Sequence, residues 1–368
     1  MSAMAEQNPE FATDGGDVSS AFGVSDDADV VEAAESSTVG DVRQPAAEPT
    51  GEDFNGLAVL REDGHSFVPD EEPYIKRRVD AQTTDVEMLC YQMSTGRPTL
   101  LTAEKGVGKD TLVEYVCAKT NRPMVRVNFG EGITYTDLVG EFQPVEDADT
   151  KKIEKAQRIA DELDIDVHEA ASLVGAESQF EFSPGWLYLA VSLGWTFVAD
   201  EIPAAGADAT MPLHGVTEDD PFLTVLQTSE MIEPHDEFRF IATRNPPEYA
   251  GNKPLNAAFE SRFWPFPLDY LEEGGERIML YKSTSLTKED DKKVAEGITQ
   301  LASNLRDSYE QRDINTSVSH RETIKIAELI GDEMMEPKSA ARFVLKSMAG
   351  REDKEPIDKA ISTTNFGP

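Results

Sequence analysis

The chain is poor in the residues that build disulfide frameworks and metal centres. It contains only two cysteines and five histidines in 368 residues. Two cysteines cannot form a disulfide framework, and Cys90 and Cys117 both lie in apolar helical patterns, which predicts buried free thiols in a reducing cytoplasm. The histidines show no metal-ligand spacing, so no zinc site is expected.

Long apolar runs and targeting signals are lacking as well. The longest apolar run, residues 186–199, is interrupted by Ser192, Gly194 and Thr196 and is too short to span a bilayer. Residues 1–30 do not show the basic and then apolar order of a signal peptide. We therefore expect a soluble, cytoplasmic protein without a membrane partner.

Basic residues are scarce relative to acidic ones. Lys and Arg number 34 against 70 Asp and Glu, which gives a net charge of −36. Phosphate would repel such a chain at long range, so nucleic acid is not an expected partner. Only part of this charge lies in the first 55 residues, which hold 13 acids and one arginine. Acidity along the whole chain indicates a proteome adapted to high salt, such as that of a halophilic archaeon or its virus; an acidic mesophilic protein is the alternative.

The composition divides the chain into regions. Residues 1–55 have few large apolar side chains and are predicted to form a disordered acidic tail, because they cannot bury enough surface to offset their ordering entropy. Residues 56–270 alternate strand and helix patterns, residues 271–350 read as all-helical, and residues 351–368 are polar and are predicted to be loosely held.

A polar, charged stretch over about residues 141–182 interrupts the α/β region, and its spacing predicts a two-helix insertion. Residues 160–165 and the helix after them have some character of a DNA-binding helix-turn-helix. The many acids in this stretch favour a structural or protein-contacting hairpin instead.

The α/β region is organised around residues 100–111. Apolar residues lead into a glycine-spaced turn, then a lysine, then a helical pattern, which is the order of a strand, a phosphate-binding loop and a helix N-terminus. Backbone N–H groups and the helix dipole favour an anion there, and Lys109 is placed to reach its β- and γ-phosphates. Two positions depart from the G-x-x-x-x-G-K-[ST] pattern: Ala103 replaces the first glycine, and Asp110 replaces the hydroxyl residue. An ordinary glycine turn is the alternative.

Two strands further along the chain end in polar side chains. The apolar stretch 195–199 finishes on Asp200 and Glu201, and a buried strand ending in adjacent acids needs a partner for them. This placement suits Asp200 as part of a Mg²⁺ shell and Glu201 as the group that polarises an attacking water; a strand end reaching solvent is the alternative. Residues 238–243 end at Arg244 and Asn245, whose amide could bond the γ-phosphate or the lytic water.

Taken together, these segments resemble an AAA+ ATPase of the MoxR-like group, close to the CbbQ/NirQ activases and the gas-vesicle N protein, over roughly residues 65–335. The segments that carry the resemblance, besides the loop, are Val125–Asn128, Asp137–Gly140, Val198–Ile202, Ile241–Pro246, Tyr249–Gly251, Leu255–Ala258 and Ser261–Phe263. The resemblance implies an α/β P-loop NTPase fold, a doubly wound parallel sheet with a C-terminal α-helical lid.

The resemblance also implies a set of site residues. The nucleotide-binding loop is similar to Walker A and comprises Ala103, Glu104, Lys105, Gly106, Val107, Gly108, Lys109, Asp110 and Thr111. Asp200 and Glu201 match Walker B, and Asn245 matches sensor 1. Arg262 matches the arginine finger that such families present to a neighbouring subunit, and Arg321 looks like sensor 2 in the lid. A surface salt bridge is the alternative reading of Arg262.

The implied activity is ATP hydrolysis with Mg²⁺, held by Asp200 and by Asp110 or Thr111. Some P-loop nucleoside-phosphate kinases also read Gly-Lys-Asp, so Asp110 is compatible with activity. A finger acting in trans implies a homo-oligomeric ring, usually of six subunits, that remodels or assembles a protein partner as a chaperone or activase. The alternatives are the motor subunit of a metal chelatase and an assembly module whose nucleotide site is silent.

Overall fold

The structure is a computed structural model that describes residues 43–144, 157–158, 180–246 and 254–367. Its strands, in chain order, are β1 (Pro49–Phe54), β2 (Leu57–Leu60), β3 (Thr99–Thr102), β4 (Met124–Asn128), β5 (Gly140–Pro144), β6 (Phe180–Pro184), β7 (Thr196–Asp200), β8 (Leu223–Val225), β9 (Glu230–Ile232), β10 (Arg239–Arg244) and β11 (Trp264–Pro267). Its helices are α1 (Asp85–Ser94), α2 (Lys109–Lys119), α3 (Tyr135–Val139), α4 (Trp186–Leu193), α5 (Ala207–Val216), α6 (Ala257–Glu260), α7 (Glu273–Ser283), α8 (Lys292–Glu310), α9 (His320–Gly331), α10 (Pro337–Met348) and α11 (Lys354–Thr363).

A five-stranded parallel sheet forms the centre of the α/β region, in the order β11-β3-β10-β7-β4. The chain leaves β3 to build β4 at one edge and later returns to place β10 and β11 on either side of β3. The strand order therefore reverses at β3. In open α/β sheets, ligands bind where the strand order reverses, in the crevice at the carboxyl ends of the strands. The predicted doubly wound α/β fold is confirmed.

Helices α1 and α2 cover one face of this sheet because their apolar residues fall on one side. Val86, Leu89 and Val113 pack into one buried cluster with Leu101 and Val198 of the strands. The side chain of Thr84 caps helix α1, and that of Glu87 completes a capping box.

The two cysteines lie in the same cluster, and both are free and buried, as predicted. Burial raises the pKa of Cys90 and of Cys117 to about 12, so both stay as thiols and behave as small apolar side chains.

The N-terminal prediction was wrong for the last residues of the tail. β1 and β2 form an antiparallel hairpin, and Leu57 and Leu60 are buried. Because strand β1 of this hairpin begins at Pro49, the ordered fold begins before residue 55. The rest of the predicted tail, residues 1–42, lies outside the described residues.

Ser183 and Pro184 are typical of an N-cap and a first helical residue, yet helix α4 does not begin there. Both residues lie in β6, which pairs with β5, and the helix begins at Trp186 after an extended Gly185. The peptide N–H of Gly185 donates to the carbonyl of Val139, which holds the chain extended at that point. Strands β5 and β6 pair with each other at the two ends of the predicted insertion. The helices and the helix-turn-helix character predicted between them fall almost wholly outside the described residues.

The C-terminal helices α7–α11 pack around a second apolar cluster. The prediction of a loose polar tail over residues 351–368 was wrong, because α11 contributes Ile357 and Ile361, both fully buried. Phe366 follows them and packs on Gly297, where a Cβ would come within 2.7 Å of its ring. In the described part of the chain, no helix is both long and apolar enough to cross a membrane.

Candidate functional site

A cavity of about 360 Å³ lies at the carboxyl ends of β3, β7 and β10, between the sheet and the C-terminal helices. Its polar lining includes Lys105, Gly106, Gly108, Lys109, Asp110, Thr111, Asp200, Glu201, Asn245 and Arg321. Its apolar lining includes Pro73, Tyr74, Ile75, Leu271, Met279 and Ile324. One cavity therefore offers charged groups and a hydrophobic surface side by side.

The loop between β3 and α2 has a backbone that only glycine adopts easily. Gly106 has φ +72° and Gly108, the N-cap of α2, has φ +98°. A Cβ at Gly106 would also collide with the side chain of Ser319, because the loop packs directly on the start of α9. The loop is thus fixed by its own backbone and by the C-terminal helices.

Lys109 joins this loop to the end of β10. Its Nζ donates to the carbonyl of Ala103 at 2.9 Å, to that of Glu104 at 3.4 Å and to Oδ1 of Asn245 at 3.0 Å. Burial lowers the pKa of Lys109, and the surrounding carboxylates, Asp110 and Asp200 first among them, act in the opposite direction. The ammonium is therefore held at the place where acidic groups and the Asn245 amide converge.

The two acids after β7 differ in their surroundings. The carboxylate of Asp200 accepts a hydrogen bond from the hydroxyl of Thr243, and the N–H of Glu201 donates to the same hydroxyl oxygen at 3.1 Å. Glu201 is exposed and has φ +52°, a backbone conformation that is costly for a residue with a side chain. The strained turn directs the chain so that both residues line the cavity.

Asp110 occupies the second position of α2, and its two carboxylate oxygens differ in their contacts. Oδ2 pairs with Nη1 of Arg126 at 3.2 Å, whereas Oδ1 is buried and has no hydrogen-bond partner among the described residues. Burial raises the pKa of Asp110, the Asp200 charge raises it further, and Arg126 acts against both.

These residues suit a divalent cation that is shared with a phosphate ligand. Among the described residues, no three His, Cys, Asp or Glu side chains form a group that could hold a metal on their own. Mg²⁺ in phosphate-transfer sites uses one or two carboxylates and the phosphates themselves. Asp200 and the unpartnered Oδ1 of Asp110 meet that description, and Thr111 lines the same cavity.

Sequence reasoning missed an arginine that braces the loop. Arg77 donates to the carbonyl of Val107 and pairs with the fully buried Asp85 at 3.3 Å. The hydroxyl of Tyr74 donates to Asp85 at 2.6 Å and its ring lines the cavity. The signal that could have found Arg77 is its place in a short basic run, Lys76 to Arg78, within an otherwise acidic chain.

The C-terminal helices bring Arg321 to the cavity. Ser319 caps α9, and its hydroxyl accepts from the N–H of Arg321 at 3.2 Å. His320 is buried, and burial together with the charges of Arg306 and Arg77 lowers its pKa to about 3. A neutral His320 therefore packs edge-on against the Tyr270 ring.

Beside His320 lies a buried ion pair. Both terminal nitrogens of Arg306 contact the carboxylate of Glu276, at 2.8 and 2.9 Å. The guanidinium also stacks 3.9 Å from the centre of the Tyr270 ring. The pair is enclosed on both sides and ties α7 to α8.

Three predicted site residues lie elsewhere. Ala103 and Glu104 line an adjoining cavity, and the Ala103 carbonyl still accepts from Lys109. Arg262 does not line the nucleotide-sized cavity: its Nη2 lies 2.6 Å from the Glu218 carboxylate, and its Nη1 donates to the His214 carbonyl at 3.0 Å.

Comparison with known proteins places this site in a recognised domain. The profile of the AAA domain (dynein-related subfamily) matches residues 98–263, which contain the loop, both acids, Asn245 and Arg262. The chain is 28% identical to the aerobic cobaltochelatase subunit CobS of a Sinorhizobium species, over 72% of this chain and 73% of CobS. It is 29% identical to the gas vesicle ATPase GvpN of Haloferax mediterranei, over 74% of this chain and 72% of GvpN.

A third relative is much longer. Midasin of Dictyostelium discoideum is 26% identical over 59% of this chain, but the matched part is only 3% of Midasin. The similarity to Midasin therefore concerns a small part of that protein.

Proposed function

We propose that this chain, a member of the MoxR-like group of AAA+ ATPases, binds and hydrolyses ATP with Mg²⁺ in order to remodel or assemble a protein partner. The observation that carries the proposal is the convergence of Lys109, Asp200 and Asn245 on one cavity, from three parts of the chain that are far apart in sequence. The apolar lining beside them suits a purine base, and the glycine-rich loop suits the phosphates.

Each polar residue has a defined role in this proposal. Lys109 contacts the β- and γ-phosphates, Asn245 orients the γ-phosphate or the water, and Glu201 polarises that water for in-line attack. Asp200, with Asp110 or Thr111, would hold Mg²⁺, which neutralises phosphate charge when bound. Arg321 reaches the cavity from the C-terminal helices and stabilises the charge that develops on the transferred phosphoryl group.

Arg262 supports a ring, proposed here as a hexamer. It lies outside the cavity of its own chain, where Glu218 and His214 hold it at the end of α6. An arginine that completes the site of a neighbouring copy would likewise lie outside the cavity of its own chain. A second copy of the chain is therefore the expected partner of Arg262, and the site is complete only in the assembly.

A protein client is favoured over nucleic acid by the net charge of −36. Similarity to CobS supports a second candidate, the motor subunit of a metal-chelatase-like complex. Copurification of a porphyrin-binding large subunit with the full chain would favour this candidate over a chaperone or activase. A nucleotide-gated assembly module with a weakly active site is the third candidate, and it is separated from the others by kinetics.

The discriminating experiment compares two neighbouring acids. Glu201→Gln is expected to keep ATP binding and to lower phosphate release by at least about 100-fold, since the base is lost and the metal site is retained. Asp200→Asn is expected to weaken binding of Mg²⁺ and ATP as well. Unchanged phosphate release by Glu201→Gln would show that hydrolysis is not the activity of this site.

A further inference from the structure

Asp110 stands where the G-x-x-x-x-G-K-[ST] pattern has a neutral hydroxyl residue, directly after the lysine of the loop. A carboxylate there faces the same cavity as Asp200 and Glu201, so three acids surround the proposed phosphate position. Without a cation, each of them repels a triphosphate. The Asp110 carboxylate therefore requires a neighbouring side chain that orients it toward the metal.

Arg126 contacts only one side of that carboxylate. Its Nη1 lies 3.2 Å from Oδ2 of Asp110 and 3.9 Å from Oε1 of Glu114, one turn later on α2. Neither Arg126 nor Glu114 lines the cavity. The guanidinium therefore holds Asp110 from outside the cavity through Oδ2, while Oδ1 is buried and has no hydrogen-bond partner among the described residues.

The strand that carries Arg126 fixes this arrangement. Arg126 is paired with Val198 in the sheet, and two residues later on the same strands Asn128 is paired with Asp200. Arg126 and Asp200 therefore belong to neighbouring strands, and Asp110 lies on the helix above them. Arg126 therefore contacts Asp110 from the strand next to the one that ends at Asp200.

We propose that Arg126 is a positioning residue that turns Asp110 toward the cation, and that Asp110 makes nucleotide binding depend on the cation more steeply than a hydroxyl residue would. The inference rests on the proposed nucleotide site. It predicts that the chain binds ATP poorly in EDTA, because the negative charge of Asp110 then repels the phosphates. Binding is expected to be tight once Mg²⁺ lies between the Asp110 carboxylate and the phosphates.

The test measures equilibrium binding of ATP to the full chain by calorimetry, in EDTA and across a Mg²⁺ titration. Asp110→Thr is expected to reduce the ratio of the affinities with and without Mg²⁺ by about tenfold or more, because a neutral hydroxyl removes one repulsive charge. Arg126→Gln is expected to raise the Mg²⁺ concentration at half-saturation several-fold, and Arg126→Lys, which keeps the charge, to restore part of the loss.

The double variant separates positioning from a general structural effect. If Arg126 acts through Asp110, Arg126→Gln has no further effect on Mg²⁺ dependence in the Asp110→Thr background. Equal effects of Arg126→Gln in both backgrounds would overturn the proposal. Glu114→Gln, which removes the other carboxylate near Arg126 but lies outside the cavity, is the matched control and is expected to leave Mg²⁺ dependence unchanged. Thermal unfolding of each variant checks that it folds.

The outcomes also separate this inference from the proposed function. A wild-type chain that binds no ATP even with Mg²⁺ contradicts the nucleotide site itself. A wild-type chain that binds ATP equally well in EDTA and in Mg²⁺ leaves the nucleotide site intact and contradicts the role of Asp110.

Discussion

Nζ of Lys109 lies 3.0 Å from Oδ1 of Asn245, although the two residues are 136 positions apart in the chain. The bond spans the carboxyl ends of β3 and β10, which are neighbours in the sheet. It fixes the ammonium against the amide at the place where a γ-phosphate is proposed to lie. Lys109 and Asn245 meet because β3 and β10 are adjacent in the sheet, although the two strands are far apart in the sequence.

Asn245→Ala is expected to lower the kcat of ATP hydrolysis by about 100-fold with a smaller change in KM, because the amide acts on the transferred group more than on ground-state binding. Steady-state phosphate release measures both constants. Asn365→Ala removes an exposed amide far from the cavity and serves as the control. An unchanged kcat in Asn245→Ala would exclude the amide from the reaction.

Mixing two inactive variants tests the proposed ring. Arg262→Ala lacks the finger but keeps its own cavity intact, while Glu201→Gln keeps the finger and lacks the base. We expect each alone to be nearly inactive and a mixture to recover part of the activity, because mixed assemblies contain complete sites. ATPase activity against mixing ratio measures this. A mixture that is no more active than its components would place Arg262 in a role within its own chain.

The ion pair between Glu276 and Arg306 predicts a large stability effect. Glu276 is 1% exposed, so Arg306→Ala leaves a buried charge without its partner and is expected to cost about 3–5 kcal/mol in the free energy of unfolding. Arg342→Ala breaks the pair between Arg342 and Asp358, whose side chains are 40% and 39% exposed, and is expected to cost far less, because water screens an exposed pair. Urea unfolding of both variants gives the comparison, and equal losses would contradict the account.

His320 predicts a pH dependence of stability. Its pKa falls from an ordinary value of 6.5 to about 3 on folding, so the unfolded chain binds the proton first as the pH is lowered. This difference in proton binding is expected to lower the free energy of unfolding by about 2 kcal/mol as the pH falls from 8 to 5.

The measurement is urea unfolding at several pH values. His320→Gln cannot titrate and is expected to lose less stability over this interval than the wild type, whatever its stability at pH 8. His235→Gln, at an exposed histidine, is the control. Identical pH slopes for wild type and His320→Gln would mean that His320 is not held neutral by the fold.

Much of this architecture could be predicted because its signals are local. The apolar run into Asp200 and the glycine pattern before Lys109 each determine a nearby structure. Their agreement along the chain indicated the doubly wound sheet and its C-terminal helices.

What could not be predicted depends on contacts between distant residues. Ser183 and Pro184 have the composition of a helix start, yet pairing with Gly140 and Glu141 draws them into a strand. Residues 351–368 are polar on average, but the spacing of Ile357 and Ile361 buries one face of a helix. The support of Asp110 by Arg126 likewise depends on which strand lies under α2, and no local pattern contains that information.

We propose that one cavity binds a magnesium nucleoside triphosphate through Lys109. Calorimetric titration of the full chain with ATP and Mg²⁺ tests it most directly, with Lys109→Ala beside the wild type. The account predicts saturable binding by the wild type and a loss of at least about tenfold in affinity in Lys109→Ala, since the phosphate-contacting ammonium is gone. No binding by the wild type, or equal affinity in the two proteins, would contradict it.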